Sequence, residues 1–295
     1  MRIAAIGECT RDRYIDLGVE RVGGISLNFA INARRVGASH VALVSCVGTD
    51  AEGEAVSARL AREGIDASHV YQLPGATASQ TIHLIAGGER VFPPGGFDPG
   101  VLSDFRLSDA DLAFIAGCNI VAIPVFGQLE HLVEPLLLDR QRLRQSRSNR
   151  SPRTAGLPAR DALPMLVADL LDGADLGDDL ASIEPHFDAF DLLFVSGDES
   201  TVAQLRPYAE RSRALLVVTH GAAGSSALVR GARIRAPADP VALEELVDST
   251  GCGDAFQAAF TVDYFRHRDV PRALAAGAAR ASQVIRHLGA TLDDG

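Results

Sequence analysis

Residues 248–256 read Asp-Ser-Thr-Gly-Cys-Gly-Asp-Ala-Phe and lead into an apolar helical stretch, Ala255 to Phe265. A small-residue turn at a helix start leaves consecutive backbone amides without intrahelical partners, and its glycines permit close approach and unusual dihedrals. The amides of Gly251, Cys252 and Gly253 can hold negative charge as it develops on a transferring phosphoryl group, with the Asp254 carboxylate facing an attacking hydroxyl. An isolated Gly-x-Gly-Asp is equally well read as a turn whose aspartate caps a helix.

Other residue types narrow the chemistry. All 28 basic residues are arginine, so a Walker-type P-loop, a protein-kinase phosphate lysine and a Schiff base are excluded. Any nucleotide must be held by backbone amides, arginine and metal. Cys9, Cys46, Cys118 and Cys252 are far apart and form no Cys-x-x-Cys, and the eight histidines form no His-Glu-x-x-His, so neither a zinc site nor a disulfide framework is expected. A net charge of -10 gives no reason to expect nucleic acid, and small molecules are the expected partners. Nowhere do about 18 apolar residues run uninterrupted, and no signal peptide is indicated, so neither a membrane partner nor export is expected and the expected address is cytoplasmic.

The elements that must position the 248–256 string follow a βαβ rhythm. Arg2 to Ile6 reads as a strand, Gly24 to Gly37 as a helix stopped by its last glycine, and His40 to Val47 as the next strand. Asp50 caps a helix to about Glu63, after which Gly64-Ile65-Asp66 returns the chain to extended structure. Asn119–Val125, Met165–Asp169, Asp191–Ser196 and Leu215–His220 read as four further strands of a large, mostly parallel sheet. Thr77 to Ala86 alternates and is followed by Gly87-Gly88 and Glu89-Arg90-Val91-Phe92, a hairpin that breaks the rhythm. With the connection 8–23 it is expected to make a small β lid, from about 8–23 and 76–92. The arginine-, serine- and proline-rich run 139–163 reads as an exposed, flexible insertion in one domain spanning 1–295.

Asp248 to Phe256 resembles the D-T-x-G-A-G-D signature of the ribokinase/PfkB carbohydrate kinases, ahead of the last two long helices as in that family. The resemblance extends to Gly23-Gly24-Ile25-Ser26-Leu27-Asn28-Phe29-Ala30, to Arg34-Arg35-Val36-Gly37-Ala38, to 47–53, and to Thr219-His220-Gly221-Ala222-Ala223-Gly224. Within the family the chain is most similar to the fructoselysine 6-kinase-like branch, through Ile6-Gly7-Glu8, Asp12-Arg13-Tyr14, Glu89-Arg90-Val91-Phe92 and 100–111. The resemblance implies a three-layer α/β/α fold and transfer of the γ-phosphoryl group of ATP, with Mg2+ and K+, to a hydroxyl of a small sugar, a ketose or a sugar-amine adduct.

Carried over residue by residue, the resemblance makes Asp254 the base and the amides of 251–253 the anion hole. Asp12, Gly24 and Asn28 face the sugar, joined by Arg90 of the flap. Thr219, Gly221 and Gly224 border the ATP phosphates. Glu199 organises water around magnesium, and Asp248 with Thr250 helps to hold a monovalent cation. Each has a plainer reading, as cap, turn or solvated side chain. Cys252, which stands where the family has alanine, reads as a small buried side chain.

There are departures. Ile25 stands where the branch has asparagine, the asparagine usual before Glu199 is absent, and Asp169-Leu170-Leu171-Asp172 lacks the following asparagine and arginine. Arg11 and Arg13 replace apolar residues, and Arg13 with Arg90 suits a substrate carboxylate or phosphate as well as a solvated surface. A dehydrogenase is set aside because no Gly-x-Gly-x-x-Gly follows the first strand. The other class that fits is a sensor that keeps the fold and binds sugar or nucleotide without turnover. Pairing of lids in the family implies a homodimer.

Overall fold

In the computed structural model, which describes residues 1–85, 87–148, 163–173 and 184–292, the first strand shows how the core is divided. Along β1 (Arg2–Ile6), Ile3 and Ala5 enter one apolar cluster while Ala4 and Ile6 enter a second on the opposite face. A strand's period of two makes this split, and burial of both faces marks an inner strand of a parallel sheet.

The chain continues through β2 (Thr10–Tyr14) and β3 (Val19–Gly23) to α1 (Ile25–Arg35), β4 (His40–Gly48), α2 (Ala51–Glu63) and β5 (Asp66–Leu73). Next come β6 (Ser79–Ile85), β7 (Glu89–Val91) and β8 (Phe97–Asp98), then α3 (Asp109–Ala116), β9 (Ile120–Pro124), α4 (Glu130–Ser148) and β10 (Met165–Asp172). The remainder is α5 (Glu184–Ala189), β11 (Leu192–Ser196), α6 (Glu199–Arg211), β12 (Leu215–Thr219), β13 (Ser225–Val229), β14 (Ala232–Ala236), α7 (Cys252–His267) and α8 (Val270–Val284).

Nine strands form one sheet in the order β14-β13-β12-β11-β10-β9-β1-β4-β5, parallel from β12 to β5 and antiparallel at the β13 and β14 edge. Side chains of α1, α2, α7 and α8 fill the first cluster, and those of α3 to α6 the second. This is the three-layer α/β/α fold expected from the sequence. Local signals act where they were read: Asp50 accepts from the Gly53 amide at 2.9 Å to start α2, and Gly64, at φ 64°, ends it.

The two segments set apart in the sequence meet in a second sheet, β3-β2-β6-β7, with β8 paired to β6. The first part of the arginine-rich run, 139–148, is helical rather than irregular. Helix α4 continues to Ser148, and Arg140 is buried, its guanidinium 2.6 Å from the Asp191 carboxylate and 3.1 Å from the Pro164 carbonyl. Its partners lie 51 and 24 residues away, which the absence of local apolar periodicity could not reveal. Residues 149–162 of that expected insertion lie outside the described residues. Among the described residues no helix is long and apolar enough to cross a membrane.

Candidate active site

Strand ends and small sheet enclose a cavity of about 430 Å³. Its floor comes from residues just past the carboxyl ends of the central strands: Glu8 after β1, Phe126 after β9, Asp169 and Asp172 of β10, and Ser196 of β11. Crevices at that edge are where open α/β sheets bind ligands. Gln80, Ile82, Glu89, Arg90 and Phe92 close it from the small sheet, and Thr250, Gly251, Gly253, Asp254 and Gln257 from the α7 side.

The turn before α7 has the conformation its glycines permit. Gly251 is left-handed, at φ 74°, and a Cβ there would overlap the Ala290 methyl, whereas Gly253 has open space beside its Cα. The Cys252 amide donates to the Ser249 carbonyl at 3.3 Å, so the turn itself uses one of the three amides expected to hold an anion. Among the described residues the amides of Gly251 and Gly253 have no acceptor. The Cys252 thiol is pushed up to about 12 by burial and remains a neutral thiol at physiological pH, although the residue is partly exposed rather than buried.

The Asp254 carboxylate is almost fully buried and accepts from Asn28 Nδ2 at 2.8 Å. Burial, then the charge of Asp169, pushes it up to about 7, against the Asn28 hydrogen bond and Arg90. The other Asn28 atom, Oδ1, is buried without a partner among the described residues, as is Thr250 Oγ1. Asp12 accepts from the Thr10 hydroxyl at 2.7 Å and lies against Gly23, where a Cβ would overlap its carboxylate; burial pushes it up to about 7. Gly24, at φ 104°, lets α1 start close against the backbone of 8–10.

Arg90 is fastened to the turn before α7. Its Nη1 donates to the Ser249 carbonyl at 3.1 Å, its amide donates to Ser249 Oγ at 3.1 Å, and the Ser249 amide donates to the Gly88 carbonyl at 2.8 Å. Asp248 is fully buried and accepts from the Tyr14 hydroxyl at 2.6 Å and from the amides of Thr250 and Gly289, both at 2.8 Å. It thereby ties β2, the turn and the chain after α8 together. A carboxylate has about four lone-pair sites, so three donors leave one open.

The remaining expected residues lie elsewhere. Thr219, Gly221 and Gly224 sit at and beyond the end of β12, outside the cavity but adjoining it: Thr219 Oγ1 is 3.1 Å from Oγ of Ser196. Glu199 is turned away. Arg233 grips its carboxylate at 2.6 and 2.8 Å and Arg235 adds a bond of 2.8 Å, which holds the acid low, at about 2, and fastens α6 to β14 rather than organising water in the cavity. Arg13 pairs with Glu20 and Glu52 and does not line the cavity. Among the described residues no three His, Cys, Asp or Glu side chains are grouped to hold a metal ion.

Glu8 and Gln257 were missed in the sequence, although each carried a signal. Glu8 follows the first strand at the edge where such sheets bind ligands, and Gln257 stands three residues after Asp254 on the same helical face. Gln257 lines the cavity together with Asp169, whose carboxyl burial raises.

A crevice of about 430 Å³ at the strand ends, an open glycine turn at a helix start and a buried carboxylate beside it, all on a three-layer, mostly parallel sheet, define a ribokinase-like fold. The chain belongs to the pfkB family of carbohydrate kinases, matching it over residues 3–121 and 187–294, and is an ATP-dependent enzyme with an alcohol group as acceptor. It is 29% identical to the fructoselysine 6-kinase of Escherichia coli K12 over 294 residues, 98% of each chain. It is 25% identical to the fructosamine kinase FrlD of Bacillus subtilis over 296 residues, 98% of this chain and 93% of that one. The crystal structure of adenosine kinase from Sinorhizobium meliloti shares the fold, with a TM-score of 0.77 at 18% identity over 98% of this chain and 95% of that one.

Proposed function

We propose that the enzyme phosphorylates a hydroxyl of a small sugar or sugar-amine adduct of the fructoselysine or ketose kind, with Asp254 as base. One observation carries this reading: the Asp254 carboxylate is buried, held near neutrality and oriented by Asn28, beside the open amides of Gly251 and Gly253. The sugar oxygen attacks the γ-phosphorus of ATP, its proton passes to Asp254, and the bond from that phosphorus to the bridging oxygen breaks to release ADP. In a loose phosphoryl-transfer transition state most of the catalysis is positioning and charge stabilisation, so the two amides and a placed carboxylate suffice.

Asp12, Gly24 and Asn28 bind the sugar, and the unpartnered Asn28 Oδ1 receives one of its hydroxyls. Arg90 caps the sugar from the small sheet, which acts as a lid that excludes water. Thr219, Gly221 and Gly224 border the nucleotide. Asp169 and Asp172, which face the cavity, would hold magnesium, which would supply charge neutralisation on the phosphate oxygens. The open lone pair of Asp248 and the unpartnered Thr250 hydroxyl suit potassium. The exposed Ile15, Leu17, Ile85 and Val91 of the small sheet suit pairing with a second copy, which sedimentation tests.

The test is ADP release from ATP and Mg2+ with fructosamine adducts, hexoses, ribose, sugar acids and nucleosides, with Asp254→Asn alongside. Turnover on one panel member, lost by about a thousandfold or more in the variant, is the expected result. A folded protein that binds a panel member and never turns it over refutes the reading.

A further inference from the structure

The cavity carries an imbalance of charge that phosphoryl transfer does not explain. Six of its lining residues are acidic, namely Glu8, Asp12, Glu89, Asp169, Asp172 and Asp254, and Arg90 is the one basic residue among them. ATP adds to the imbalance, because with its magnesium ion it still carries net negative charge. A neutral sugar would leave several buried carboxylates either uncompensated or protonated. The sugar side also leaves a buried acceptor open. Asn28 is 3% exposed, lines the cavity and has no partner for Oδ1. An occupant rich in donors and positively charged satisfies both conditions, and an ammonium group has donors only.

The acids are not equivalent. Asp254 is committed to Asn28 and the reacting hydroxyl, Asp12 to the Thr10 hydroxyl, and Asp169 to the Leu171 amide at 3.0 Å. Glu8 differs: Oε1 accepts from the Ile25 amide at 3.0 Å, capping the start of α1, and this is the one hydrogen bond of its carboxylate among the described residues, which leaves Oε2 without a donor. Three phenylalanines, Phe92, Phe97 and Phe126, line the same cavity, with Phe97 and Phe126 edge to face at 5.8 Å, an apolar wall for a substituent on a substituted amine.

We propose that Glu8 is the specificity residue of this site, its free carboxylate oxygen taking the protonated amine of an amine-bearing sugar so that cationic adducts are bound in preference to neutral ketoses. This deepens the function proposed above and rests on it for the placement of the sugar.

The proposal has a signature that capping alone does not give. In the empty cavity burial pushes Glu8 up to about 8, with the charges of Asp12, Asp254 and Asp169 adding to the Ile25-opposed shift. Arg90, Glu89 and Asp172 are the other charged groups facing the same space. A cation beside Glu8 favours its ionised form, so binding an amine-bearing sugar near pH 7 releases protons to the buffer, and binding a neutral ketose releases fewer.

Isothermal titration calorimetry without ATP, in two buffers of different ionisation enthalpy, measures affinity and proton release together. The ligands are fructose and 1-deoxy-1-(propylamino)fructose, titrated into wild type and Glu8→Gln, which keeps an acceptor for the Ile25 amide. The expected result is a preference of about tenfold or more for the amine in wild type, with proton release, both lost in the variant. Equal affinities in wild type, binding of neither ligand, or a preference and proton release that survive in Glu8→Gln overturn the proposal. The wild-type comparison and its proton balance stand even if the variant does not fold. A preserved preference with no turnover on ATP supports Glu8 while removing the kinase reading, so the two failures are distinguishable.

Discussion

Replacing Asn28 with leucine tests Asp254 as base through its ionisation. Asn28 Nδ2 donates to Asp254 Oδ2 at 2.8 Å between two buried side chains, a bond that favours the carboxylate over the acid. A hydrogen bond to a charged group contributes about 1.5–3 kcal/mol, and one pH unit corresponds to about 1.36 kcal/mol. A base must be ionised. With Asp254 at about 7, kcat/KM of the wild type is low in acid, rises through about pH 7 and levels off above it. Losing the Asn28 bond moves that limb alkaline by about one to two pH units, so the ionised fraction at pH 7 falls from about one half to about one tenth or one hundredth. The rate at pH 7 drops about 5- to 50-fold from ionisation alone, and part of it returns at pH 9. Loss of Asn28 Oδ1 as a sugar ligand lowers the whole profile evenly, which separates the two effects. Because Glu8, Asp12 and Asp169 share the cavity, the limb belongs to the coupled group, and its displacement is the diagnostic quantity. Coupled ADP assays at low sugar concentration between pH 5.5 and 9.5, with melting temperatures alongside, measure it. A profile lowered uniformly with its limb in place would refute Asp254 as the titrating base.

Three other perturbations follow from the geometry. Gly251→Ala places a Cβ at φ 74° and against the Ala290 methyl, so it should lose about 2–4 kcal/mol in denaturant unfolding and most of its kcat. Ser249→Ala removes the hydroxyl that accepts from Arg90 at 3.1 and 3.3 Å but leaves the backbone bonds to the hairpin, so the sugar KM should rise about fivefold with a smaller change in kcat. Asp12 is raised from an ordinary carboxylate value to about 7 by burial, so its contribution to stability is present below about pH 4 and lost as pH rises through 7. Asp12→Asn should therefore lose less stability than wild type between pH 5 and 8 in calorimetry, the upper bound of the difference being about 2.7 kcal/mol, from about two pH units at about 1.36 kcal/mol each.

What was legible in the sequence was local in origin. The turn 250–253 and the helix after it follow from glycine dihedrals and an apolar stretch, and α2 follows from Asp50 and Gly64 at its ends. The parallel sheet follows from alternating strand and helix lengths. Partners far apart in the chain were not legible. Glu199 is claimed by Arg233 and Arg235, 34 and 36 residues on, and nothing around Glu199 announces them. Ser249 reaches a hairpin 159 residues earlier, and Arg140 a carboxylate 51 residues later. Such pairings depend on which strand ends meet, and the nine-strand order carries that information only after folding.

The buried acids link stability to activity. Each carboxylate moved from water into the cavity favours its protonated form, so the empty cavity works against the folded state as pH rises. The same burial brings Asp254 to about 7, where it is ionised often enough to accept a proton and basic enough to draw one from a hydroxyl. An acid of ordinary pKa would be ionised at neutral pH but a weaker base. The small sheet sustains this balance: Arg90, the basic residue facing these acids, is held against Ser249 beside the glycine turn before α7. On the proposed reading, opening of the hairpin would admit water to the carboxylates and withdraw Arg90 from them, so that closure and the readiness of Asp254 as base would be one event.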